Sequence, residues 1–121
     1  MRRTMMVAIL GLLGTGLVGC GASSSDLTEQ ETCNQAVGAV CQKMSSCLGA
    51  ATFGALYSSV ADCTTQLETL NSCATKTCPA PQKFVTANGQ ACLNFVNAMS
   101  CPDIEALTGA PSACADSLMC Q

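Results

Sequence analysis

Eleven cysteines and no histidine define the chemistry open to this 121-residue chain. Thiolates act as nucleophiles, metal ligands or disulfide partners. Thiolate metal sites favour Cys-x2–4-Cys knuckles. The tightest pair here is Cys73-x4-Cys78, followed by Cys41-x5-Cys47 and Cys114-x5-Cys120. No Cys-x-x-Cys redox motif is present. Without histidine there is no imidazole ligand, no histidine-based triad and no ordinary neutral-pH acid or base. The spacing therefore favours structural disulfides, and no metal or cofactor is expected.

The other reactive side chains point the same way. Glu29 with Glu31, and Asp103 with Glu105, fall in first turns of expected helices, where negative charge suits the helix dipole. Asp62, Glu68 and Asp116 read as isolated surface charges. Lys76 and Lys83 flank a proline turn, with no arrangement that makes a Ser–Lys nucleophile compelling. Met44, Met99 and Met119 read as core filler rather than copper ligands. No glycine-rich phosphate loop follows a strand. A formal charge of −3 argues against nucleic acid as a partner. These features lead to a non-enzymatic chain.

Residues 1–19 form an export signal, to be set aside from the fold. Arg2 and Arg3 supply a positive start, and Met5 to Val18 an apolar stretch short of the ~20 residues a span needs. The stretch ends in Leu17-Val18-Gly19-Cys20. This resembles the lipobox of bacterial lipoproteins, with valine where alanine or serine is more typical. The resemblance implies lipidation of the Cys20 thiol, palmitate among the acyl chains, and cleavage before Cys20. Parity agrees: giving Cys20 to the lipid leaves an even ten cysteines for disulfides. Gly21, rather than aspartate, follows Cys20. By the sorting rule of such lipoproteins this leans toward the outer membrane over the inner. The expected location is thus the cell envelope, with the membrane as partner through the N-terminal lipid.

Cleavage leaves 121 − 19 = 102 residues, with Lys43, Lys76 and Lys83 against eight carboxylates. Residues 20–28 read as the lipidated N-terminus and a flexible tether, and 29–121 as a cysteine-rich helical domain. Thr28-Glu29-Gln30-Glu31 is a capping box. Cys33, Val37, Val40, Cys41, Met44, Cys47 and Leu48 then recur at helical spacing up to Gly49. A second helix is predicted from about Ser59, with Val60, Cys63, Leu67, Leu70, Cys73 and Ala74 on one stripe. A third is predicted over about 83–100, with Phe84, Cys92, Phe95, Val96 and Met99 inward and Gly89 a weak point. Pro102 and Asp103 open a turn of helix holding Ile104 and Leu107, ended by Gly109. Pro111 starts a last short helix with Cys114 and Leu118. No run alternates with period two, so strands are not expected. The fold class is all-α: a small disulfide-stapled bundle of about four helices, running up and down.

Ten cysteines admit on the order of a thousand pairings. An antiparallel hairpin of the first two helices narrows them. Pairing Cys33 with Cys73 and Cys41 with Cys63 asks helical rises of about 12 and 15 Å to coincide. Continuing up and down puts Cys47 with Cys101 at one end and Cys78 with Cys120 at the other. Cys92 then faces Cys114 midway.

Two segments carry a further resemblance: Cys41-Gln42-Lys43-Met44-Ser45-Ser46-Cys47, and Ala91-Cys92-Leu93-Asn94-Phe95-Val96-Asn97-Ala98-Met99-Ser100-Cys101-Pro102-Asp103-Ile104. With the Cys63–Cys73 helix between them and Cys114 after, the pattern is similar to small cysteine-rich lipoproteins of myxobacterial type. That class implies no catalytic residue. The expected role is a binding or structural module for an envelope protein or ligand. The alternatives are a saposin-like carrier of lipid or a small apolar ligand, and an envelope enzyme inhibitor.

Overall fold

The computed structural model describes residues 27–121. The expected export signal of residues 1–19, Cys20 and all but the last two residues of the expected tether (20–28) lie outside the described residues. Five α-helices and two 3-10 turns follow in order. They are α1 (Glu29–Leu56), α2 (Val60–Leu70), a turn at Cys73–Thr75, α3 (Thr86–Ala98), α4 (Cys101–Glu105), a turn at Ser112–Cys114, and α5 (Asp116–Met119). The domain is a disulfide-stapled helical fold with no strand among the described residues.

Helix α1 is the spine. Thr28 Oγ1 accepts from the Glu31 amide at 3.1 Å, and the Thr28 amide donates to Glu31 Oε2 at 2.9 Å. This reciprocal box satisfies two donors that the first turn cannot pair internally. Gly49, at φ 77° and ψ 162°, breaks the helical path as expected. The chain then resumes helical geometry to Leu56, which the sequence did not announce. The resumed segment is held by Phe53, buried against Val37, Cys41 and Cys63.

Helix α2 runs antiparallel to α1 and starts where expected: Ser59 Oγ accepts from the Asp62 amide at 3.0 Å. It ends earlier than the predicted stripe. Ser72 takes a left-handed conformation (φ 53°), and Cys73 sits on the 3-10 turn beyond it. The turn, rather than the helix, carries Cys73 back to α1. Leu70, expected inward, is exposed, while Leu67 in the same turn packs against both clusters.

Helix α3 starts at Thr86 rather than near 83 because residues 83–85 pair elsewhere. The Lys83 amide donates to the Gln121 carbonyl at 2.8 Å, and the Gln121 amide returns a bond at 3.1 Å. The Val85 amide donates to Met119 at 2.8 Å. This antiparallel bridge sets the C-terminus beside the entry to α3. The inward stripe of α3 is Gly89, Cys92, Leu93 and Val96; Phe95 falls off it and is exposed. Lys43 Nζ donates to the Met99 carbonyl at 3.0 Å, placing a cation at the end of α3. Ser100 and Asp103 cap α4 with a second box. Beyond it the predicted last helix splits: Pro111 precedes the Ser112–Cys114 turn and α5 follows separately, with Leu118 exposed.

Two buried clusters lie on different faces of α1. One holds Leu27, Ala36 and Val40 with Cys92, Leu93, Val96 and Met119. The other holds Cys33, Val37 and Cys41 with Phe53, Cys63 and Cys73. Leu27 is 6 % exposed, so the packed domain begins before Glu29.

Candidate functional site: an apolar cleft over α1

The cysteines come together in five disulfides. Cys33–Cys73 and Cys41–Cys63 join α1 to the α2 hairpin, with Cα–Cα distances of 5.4 and 5.9 Å. Cys47–Cys101 ties the far end of α1 to α4 at 5.2 Å. Cys78–Cys120 and Cys92–Cys114 hold the C-terminal segment, at 5.4 and 4.7 Å. All five spacings lie in the range a disulfide spans. The pairs are those selected above by antiparallel helices. Oxidised cysteines neither titrate nor attack, so these ten positions are structural.

Those staples leave a gap. Helices α2 and α4 pack on α1, and the Ser112–Cys114 turn and α5 pack on α3, without closing over α1. Between them lies an open cleft of about 590 Å³. Its floor is the α1 stripe Thr32, Ala36, Val37, Val40 and Met44. One wall is Tyr57, Leu67, Leu70, Asn71 and Lys76. The opposite wall includes Ile104, Leu107, Pro111, Ala115 and Asp116. The lining is mainly aliphatic, and its volume falls among small-molecule sites, roughly 300–1,000 Å³.

The polar lining is sparse and mostly committed. Thr32 Oγ1 donates to the Thr28 carbonyl at 2.8 Å, and Asn71 Nδ2 to the Leu67 carbonyl at 2.8 Å. Lys76 Nζ and Asp116 Oδ1 form an ion pair at 3.1 Å, one from each wall. The Asp116 side chain is 60 % exposed, the Lys76 side chain 21 %. A pair this open to water contributes only about 0–1 kcal/mol. It therefore bridges one end of the cleft without locking it.

Behind the ion pair lies a second, smaller hollow with Glu29, Gln30, Thr77, Cys78, Gln82 and Lys83. Glu29, read from sequence as a first-turn charge, is buried here. Its Oε1 lies 3.6 Å from the Cys120 sulfur. Burial raises its pKa above the usual glutamate value, and Asp116 adds to the rise. Lys76 and a hydrogen bond from the Cys78 backbone oppose it. Glu29, Cys78 and Cys120 are the one trio of potential metal donors converging among the described residues, within 4.8 Å. The two sulfurs are bonded to each other, so they are not thiolate ligands.

Of the other candidate groups, Glu31 and Asp103 serve as helix caps. Met44 is half-buried beside both clusters, while Met99 and Met119 are buried. The sequence did not reveal the cleft. No helix among the described residues is long and apolar enough to cross a membrane. No family model, curated protein or solved structure matches this chain.

Proposed function

We propose that this chain is a lipid-anchored envelope protein whose helical domain binds a small apolar or amphipathic ligand, without catalysing a reaction. The observation that carries the binding reading is the cleft over α1: an aliphatic trough that the protein's own side chains leave unfilled. Five disulfides hold its walls, so the site is largely formed before a ligand arrives. Such preorganisation lowers the ordering cost of binding. The anchoring reading is supported by the resemblance of Leu17-Val18-Gly19-Cys20 to a lipobox. A lipid at Cys20 places the domain at a membrane surface, most naturally the outer membrane, close to a supply of apolar molecules. The likeness of the cysteine pattern to small myxobacterial-type lipoproteins fits the same setting.

One experiment tests each half. Radiolabelled palmitate should enter the wild-type chain and not Cys20→Ala. The purified oxidised domain should bind Nile red with a blue-shifted emission, and Leu107→Trp, which narrows the cleft from its half-buried wall, should weaken it while leaving the helical circular-dichroism signal unchanged. A wild-type domain that leaves the dye's emission as in water would remove the ligand-binding reading.

A further inference from the structure

The composition of the cleft narrows its ligand. Among the lining residues Lys76 is the one cation and Asp116 the one anion. Both sit at the end of the trough nearest the start of α1, since Cys33–Cys73 fixes the turn that precedes Lys76. From Thr32 to Met44 the floor rises about 18 Å along the helix. One bilayer leaflet, half of a hydrocarbon core of about 30 Å, has much the same depth. The trough is thus about one extended acyl chain long, apolar along its floor, with a single ammonium at one end.

We infer that the cleft takes a long-chain carboxylate, its acyl chain along α1 and its headgroup on Lys76 in place of the Asp116 carboxylate. This rests on the cleft being a ligand site. The 3.1 Å Lys76–Asp116 pair already shows a carboxylate seated on that ammonium. Asp116 is the more exposed partner, so it returns to water easily when displaced. Lys76 stays against the lining and exchanges one carboxylate for another. The exchange is nearly even in charge, and burial of the acyl chain drives it. The nearest other carboxyl, Glu29, lines the neighbouring hollow, which Lys76 also borders, and is not among the residues lining the cleft. An anionic chain this acidic has no general attraction for anions, so the preference depends on this one residue.

Laurate and dodecanol differ only in the headgroup. Their displacement of Nile red from the full mature, oxidised chain measures the preference. Laurate should compete about tenfold better than dodecanol, the ratio expected from one charge-assisted contact. Lys76→Met should erase that ratio by weakening laurate alone. Asp116→Asn should strengthen laurate several-fold and leave dodecanol unchanged; it also tests the idea if Lys76→Met does not fold. Equal competition by both ligands, unmoved by either variant, overturns the headgroup assignment and leaves the cleft as an apolar site. Failure of Nile red and both ligands to bind removes the cleft reading itself.

Discussion

The α2 side of α1 and its α3 side are packed with different materials. On the α3 side the buried cluster is aliphatic, with Leu93, Val96 and Met119 meeting Ala36 and Val40, and one cysteine, Cys92, among them. On the α2 side four of the six clustered residues are cysteines, joined as Cys33–Cys73 and Cys41–Cys63. Helix α2 itself has one fully buried residue, Cys63. Its threonines bond back to their own helix: Thr64 to Val60 at 2.8 Å and Thr69 to Thr65 at 2.8 Å. Such bonds slightly weaken a helix. The α2 side therefore has little apolar volume besides its staples, where the α3 side adds apolar volume to its own. On the α2 side the staples themselves form most of the buried cluster, whereas Cys92–Cys114 joins a mainly aliphatic one.

The largest effect should come from removing the buried staple. Cys41→Ala with Cys63→Ala should cost ~2–5 kcal/mol by urea unfolding, because both positions are fully buried. The Cys47–Cys101 bridge closes a longer loop, 54 residues against 22. Loop entropy alone would make it worth more, by under about 1 kcal/mol. Loss of packing at Cys41 and Cys63 should outweigh that difference. A Cys47→Ala, Cys101→Ala protein less stable than the first variant would break the comparison.

Truncating an apolar side chain should separate the two sides. Leu93→Ala should cost ~2–5 kcal/mol, since Leu93 is buried on the α3 side. Leu67→Ala, on the cleft wall, should cost less than half as much. Equal midpoints for the two variants would mean that α2 carries more packing than its burial indicates.

Gly89 marks the closest approach on the α3 side. A Cβ there would lie 2.5 Å from the Phe84 ring and 3.0 Å from Thr32 Oγ1. Gly89→Ala should therefore destabilise by ~1–3 kcal/mol through overpacking, despite a helix-propensity gain of ~1 kcal/mol. In a Phe84→Leu background the penalty should shrink, and a double-mutant cycle reads the difference. Additive effects would place the clash elsewhere.

The smallest effects are with pH, and their signs oppose. Glu29 titrates above its usual range in the folded protein, through burial first and Asp116 second. The folded state then holds more protons, so stability is greatest below the usual glutamate pKa and falls as pH rises through the raised one. Glu29→Gln should flatten that fall in thermal unfolding curves. Asp62 and Asp103 are held low by hydrogen bonds, from the Ser58 backbone first and the Ser100 side chain first, respectively. Their contribution is present above the usual aspartate pKa and is lost as pH falls through the lowered values. Asp62→Asn should reduce the acid-side loss; an unchanged acid limb would assign it to other carboxylates.

Much of the fold is legible in local signals. The Thr28–Glu31 box, the Ser59 cap and the break at Gly49 each act within a few residues. Antiparallel spacing extends that reading to the cysteine pairs. What escapes it is set by distant partners. The late start of α3 comes from its pairing with residues 119–121. The burial of Glu29 comes from the Cys78–Cys120 segment folding over it. The cleft escapes for a different reason: it is where two walls fail to meet, and periodicity registers residues that pack, not space left between elements.

The order of the disulfides along the chain has a consequence for survival. Between Cys33 and Cys120 every peptide bond is spanned by at least one bridge, because Cys33–Cys73, Cys47–Cys101 and Cys78–Cys120 overlap end to end. A protease that cuts once anywhere in that interval releases nothing; the two pieces stay one covalent molecule. Only paired cuts within a cysteine-free stretch, such as 48–62, can excise a peptide. Outside the cell's reducing interior, a domain wired this way turns a single nick from a fatal event into a scar.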